Sequence, residues 1–207
     1  MKKLLLLMTG ALLVAVGTAA AAKQAKPQVT IAASPPVVTF GGSVSLSGAV
    51  ATHAAGQTVD VLAQPSGQAS FAALTSVDTT AGGDWTYAAK PAIETSYEAR
   101  SLAVTSQPVV VKVRPQLALT KVSLSGHKGT FSVKATANRS FAGKFVLVQR
   151  LAAAGVIQLK KVVLGNDSSA TFTIRVQPGR SRLRAVMPTS QTQPGYVAAQ
   201  SAVLTIH

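Results

Sequence analysis

Arg180, Arg182 and Arg184 alternate with Ser181, Leu183 and Ala185. On an extended strand, residues two apart share a face, so the three arginines line one side and Leu183 and Ala185 the other. A row of cations without acids beside it is suited to holding oxyanions and not to breaking bonds. Arg175 is expected outside a strand whose inner residues are Phe172, Ile174 and Val176. Lys160 and Lys161 are adjacent and therefore face opposite ways. These six bases, Lys160, Lys161, Arg175, Arg180, Arg182 and Arg184, are the candidate polyanion-binding residues.

Other chemistries lack their parts. Nucleophilic catalysis needs a base within reach of a serine and a third group orienting that base. The three histidines fall in a turn (His53), in the turn Ser125-Gly126-His127-Lys128-Gly129, and at the terminus (His207). None sits in a Gly-x-Ser-x-Gly elbow. Glycoside hydrolysis needs two carboxylates flanking one bond, whereas the six acids are scattered singly through turns and surface positions. Asn166-Asp167 alone comes near a calcium pattern, and no His or Cys cluster has zinc spacing. No glycine loop suits a phosphate cradle. The chain is therefore expected to be non-catalytic, without metal or cofactor.

The charge is segregated. Residues 23–113 carry five bases and five acids, while residues from 114 onward carry thirteen bases and one acid, Asp167. Such asymmetry points to an anionic partner of the second half. Aromatic residues interleaved with the bases, as single-stranded nucleic acid requires, are missing. Sequence-specific nucleic-acid recognition is not expected.

Met1-Lys2-Lys3 is a basic start, Leu4 to Gly17 an apolar run, and Thr18 to Ala22 a stretch of small residues. That layout is expected of a secretory signal peptide over residues 1–22, cleaved before Lys23. The apolar run is shorter than the ~20 residues of a membrane span. The mature chain contains no cysteine and no later run able to span a membrane. An extracytoplasmic protein, in the cell envelope or periplasm, is the expectation.

Positioning the bases falls to strands. Ala81 to Arg100 organises the first half: Gly82-Gly83-Asp84 reads as a tight hairpin turn, and Trp85 and Tyr87 alternate with Thr86 and Ala88. Pro91 ends that strand, and Tyr97-Glu98-Ala99-Arg100 starts another. Val44 and Leu46 alternate with Ser45 and Ser47, and Val59 and Val61 with Thr58 and Asp60. About seven such strands are expected before Val113, the number of an immunoglobulin-like sandwich. After Arg114-Pro115 the pattern returns. A gapless shift of 87 matches Trp85 to Phe172, Val44 to Phe131, Ala55-Gly56 to Ala142-Gly143, Val59 to Val146, and Pro91 to Pro178. Matching turn glycines and loop prolines together with apolar positions indicates two copies of one unit.

The turn glycine, Trp85-Thr86-Tyr87, Lys90-Pro91 and Thr95-Ser96-Tyr97-Glu98-Ala99-Arg100 together resemble the tandem bacterial immunoglobulin-like repeats of exported and surface proteins. The resemblance implies an all-β chain of two tandem antiparallel sandwiches, a first domain over residues 23–113 and a basic second domain over 114–207. It carries no functional site, because its motifs are core and turn residues. A binding or spacer role at the bacterial cell envelope follows, with the basic domain against an anionic polymer. Two rivals stand beside it: an accessory domain of a secreted enzyme, and a periplasmic pilus-type chaperone. Val109 to Pro115 loosely resembles the exposed strand and lysine of that chaperone family.

Overall fold

The computed structural model describes residues 29–176 and 181–206. The signal peptide expected at 1–22, Arg180 and His207 lie outside the described residues. The chain forms β1 (Ala32–Ser34), β2 (Val37–Thr39), β3 (Val44–Ala49), β4 (Thr58–Pro65), β5 (Ala72–Asp78), β6 (Asp84–Ala89), β7 (Thr95–Ser101), β8 (Val104–Thr105) and β9 (Val109–Arg114). It continues through β10 (Gln116–Ser125), β11 (Lys128–Thr136), β12 (Phe145–Ala152), β13 (Gly155–Val163), β14 (Ser169–Arg175) and β15 (Ser181–Met187). A single helical turn, α1 (Thr189–Thr192), precedes β16 (Ala199–Gln200) and β17 (Leu204–Ile206). The fold is all-β.

The strands pair into four sheets, ordered β1-β3-β6, β2-β9-β7-β4-β5, β10-β11-β14 and β13-β12-β15-β16, with β8 beside β7 and β17 beside β15. Every described ladder is antiparallel except β2 with β9. None joins a strand before Pro115 to one after it. The period-2 pattern explains the layering: Val44 and Leu46 are buried while Ser45 and Ser47 are exposed, and Leu183 and Ala185 are buried while Arg182 is exposed. Each buried Val, Leu or Phe contributes about 1.5–3 kcal/mol relative to exposure.

Two expectations need correction. Gly82 and Gly83 do adopt positive φ, +91° and +83°, but the turn is not a hairpin. It carries the chain from β5 in one sheet to β6 in the other, and β6 pairs with β3. The strand Val109–Arg114 is not an exposed edge either. β7 pairs with Val109–Val111 and β2 with Lys112–Arg114, so each half of the strand has a partner. The strand of the chaperone comparison is thus internal to its sheet.

The offset of 87 recurs in register for part of the chain, but not without a gap. β4 and β12 are offset by 87 residues at both ends, and both ladders slip at the same place, between Val61 and Leu62 and between Val148 and Gln149. A buried serine also recurs: the Ala99 amide donates to Ser106 Oγ at 3.0 Å, and the Ala185 amide donates to Ser201 Oγ at 3.0 Å. In the companion sheets, Trp85 pairs with Gly48, whereas Phe172 pairs with Phe131. With Trp85 matched to Phe172, Phe131 stands at the place of Gly48 and not of Val44, four positions along the strand. An even slip keeps every inward residue inward, which is how a gapless match of apolar positions arises without a gapless structure.

The residue change has a packing reason. A Cβ at Gly48 would come within 2.9 Å of Trp85 Nε1 and collide with the Thr30 carbonyl. The indole occupies the space that a side chain would need. In the second half two smaller rings share that space, Phe131 and Phe172, stacked with centroids 6.0 Å apart.

Candidate functional site

β13 carries Lys160 and Lys161, β14 carries Arg175, and β15 carries Arg182 and Arg184. The ladders divide these candidates between surfaces. Lys161 lies opposite Leu147, itself opposite Val186, and Arg184 lies opposite Gln149. Lys161, Arg182 and Arg184 therefore share the outer face of the β13-β12-β15 sheet. Arg175 belongs to the other sheet, directly opposite Lys128.

Their surroundings differ as much as their positions. Arg184 is engaged: its Nε donates to Gln149 Oε1 at 2.9 Å and an Nη to Gln200 Oε1 at 3.2 Å. Lys161 Nζ sits 4.0 Å from the centroid of the Phe145 ring, a cation–π contact. Arg182 is exposed. Lys160 lies opposite the inward-facing Val148 and reaches across the open side of the sandwich, its Nζ donating to the Thr173 carbonyl at 3.2 Å.

That contact leads to a cleft. Ser125, His127, Lys128, Thr173, Ile174 and Arg175 line an open cleft of about 560 Å³ at the end of the β10-β11-β14 sheet. The turn between β10 and β11 supplies His127, whose carbonyl accepts from the Val176 amide at 2.9 Å. Along the outer face of this sheet, Lys128 pairs with Arg175, Thr130 with Thr173, Ser132 with Thr171, and Lys134 with Ser169. β10 extends the same rows with Ser125, Ser123 and Thr120. The surface is thus a hydroxyl ladder with bases at its two ends. Neither Lys128 as a partner of Arg175 nor the hydroxyl rows are visible from spacing, because Lys128 and Arg175 meet only through the sheet register.

Electrostatic pairing separates the halves. In the first, Arg100 donates to Asp60 Oδ2 at 3.0 Å, the one ion pair among the described residues. The Ser76 hydroxyl and the Arg100 guanidinium hold the Asp60 carboxyl below its ordinary range. In the second, the Ser169 hydroxyl and amide hold Asp167 below its ordinary range, with a smaller contribution from Lys134. Asp167 serves the Lys134 end of the ladder. Arg175 ends β14 six residues beyond Ser169, which at ~3.3 Å per residue puts the cleft about 20 Å away.

His53 Nδ1 lies 3.0 Å from the Gly82 carbonyl in a turn. Among the described residues no hydrogen bond couples His127 to a serine, and no group of His, Asp and Glu could hold a metal ion. Among the described residues no helix is long and apolar enough to cross a membrane.

A second polar constellation, also unforeseen, joins the two halves. Only Pro115, which is buried, separates β9 from β10. The Glu94 amide donates to the Gly195 carbonyl at 2.9 Å, the Val197 amide to the Val113 carbonyl at 3.0 Å, and Tyr196 Oη to the Ala92 carbonyl at 2.7 Å. Arg139 braces this contact by donating through Nη2 to the carbonyls of Thr192 and Gln193, at 2.6 and 2.9 Å. Its guanidinium also lies over the rings of Phe141 and Tyr196, 5.1 and 5.5 Å from their centroids. Gly195, at φ +81°, leaves the space that Ile93 fills.

No protein-family model matches the chain, and no curated protein does. Among solved structures it is similar to a tetra-tandem repeat in the extending region of a large adhesion protein, at 13% identity and a TM-score of 0.36. The match covers 87% of this chain and 49% of that one, so the chain spans about half of that structure's length.

Proposed function

We propose that the chain is an exported, non-catalytic pair of immunoglobulin-like sandwiches, residues 23–113 and 114–207, serving as a binding or spacer module at the bacterial cell envelope. Its second unit contacts an anionic polymer. The observation that carries this reading is the charge segregation: thirteen bases against one acid after residue 113, and five against five before it. A solubilising surface mixes both signs. The second unit does not, and its lone acid lies at one end of one face. The hydrogen-bonded joint at Tyr196 suits a spacer, because it fixes one unit on the other.

The two pieces, residues 23–113 and 114–207, provide the test. Each is expected to show β-type circular dichroism and a cooperative melt. On an immobilised polyanion such as phosphocellulose the second is retained and the first flows through, with retention falling steeply as salt rises. Equal elution of two folded pieces would contradict the binding role and leave a spacer alone.

A further inference from the structure

We propose that the cleft at the Lys128–Arg175 end of the β11–β14 face is an anion site that takes the carboxylate or sulfate groups of an acidic polysaccharide. The proposal rests on the polyanion reading of the second unit and locates it. Like charges directly opposite each other on neighbouring strands destabilise a sheet, and Lys128 and Arg175 are such a pair. Lys160, outside the cleft lining, brings a third cation to the neighbouring Thr173 carbonyl on β14. Among the described residues no carboxylate pairs with them, and Asp167 lies at the far end of the ladder.

The scaffold does not require these bases. With Trp85 matched to Phe172, the pair Lys128–Arg175 stands where the first unit has Ser45–Ala88. One ladder position thus carries two cations in one unit and none in the other. A destabilising arrangement confined to one copy, at the mouth of a cleft, is expected of a site that an anion completes.

The ligand class follows from the rest of the face. Thr130, Thr173, Ser132, Thr171 and Ser123 offer hydroxyls that both donate and accept, which suits the hydroxyls of a sugar chain running along the strands. No aromatic ring stands in these outer rows, so nucleobases find no stacking platform. A polyhydroxylated chain with periodic negative charge fits both features.

The test uses the whole mature chain and three probes at one salt concentration: a heparin oligosaccharide (sulfated), an oligogalacturonate (carboxylated) and duplex DNA. The wild type is expected to bind at least one acidic glycan more tightly than DNA. Replacing Lys128→Ser and Arg175→Ala together installs the first unit's residues at that position. It should weaken glycan binding at least about tenfold, the loss of two charge contacts, while the melting temperature at low salt holds or rises. Lys90→Glu, an exposed charge on the first unit, should change binding by less than about threefold, as a screened distant charge does. An equal loss in both variants would overturn the site and leave the general polyanion reading standing. Tighter binding to DNA than to either glycan would overturn the ligand class. No binding of any probe by the wild type would overturn both the site and the reading it rests on.

Discussion

Trp85→Ala lowers the stability of the chain by about 3–5 kcal/mol, the usual loss for deleting a core aromatic. Trp85 is 3% exposed, lies opposite Gly48, and fills space that no other side chain enters. The indole Nε1 is buried without a hydrogen-bond partner among the described residues, so Trp85→Phe removes an unsatisfied donor along with part of the ring. Its cost is accordingly smaller than that of Trp85→Ala, because the remaining ring leaves a smaller void and no donor is stranded. Urea denaturation followed by circular dichroism separates the two. Equal losses for Ala and Phe would show that the indole N–H and not ring volume matters there.

The second large effect concerns the joint. Arg139→Ala removes two charge-assisted hydrogen bonds to the carbonyls of Thr192 and Gln193 and the cation stacked on Phe141 and Tyr196. The expected loss is about 2–4 kcal/mol, since bonds to charged groups contribute more than neutral ones. Arg139→Lys recovers only part of it, because an ammonium lacks the planar fork and stacks less well. The Tyr196 hydroxyl accepts from the Asn138 amide at 3.2 Å and donates to Ala92, so loosening Arg139 also loosens the contact between units. Hydrogen exchange should therefore quicken at Glu94 and Val197, whose amides bridge the halves. Unchanged exchange there, with stability lost, would confine Arg139 to its own unit.

The fold was largely legible because alternation is local. Val44 and Leu46, Val59 and Val61, or Leu183 and Ala185 announce their buried face within a few residues. The repeat was legible in part. Its offset holds through β4 and β12 down to the shared ladder slip, but the partner of Trp85 moved four places to suit a glycine, and parity hid the move. Sheet membership was not legible: Gly82-Gly83 has the chemistry of a hairpin turn in a place where the chain changes sheets.

The candidate site was less visible still. Arg182 and Arg184 do share an outer face, as two-residue spacing requires, yet two glutamines on neighbouring strands hold Arg184. Those partners lie 35 and 16 residues away in the chain. Lys128 faces Arg175 for the same long-range reason, and neither position announces the other in sequence. Tyr196 and Arg139 were passed over because a tyrosine among Gly and Pro residues looks like loop until the opposite unit supplies Ala92. Spacing reveals faces, and register decides which faces meet.

The central claim is that the basic half binds anionic polymer by charge. A salt series of calorimetric titrations of the mature chain with a heparin oligosaccharide tests it most directly. The account predicts a log affinity that falls linearly with log salt, because each neutralised charge on the polymer releases a condensed counterion. The slope should become shallower when Lys128→Ser and Arg175→Ala are combined. An affinity that does not change with salt, or no measurable binding at low salt, would contradict it.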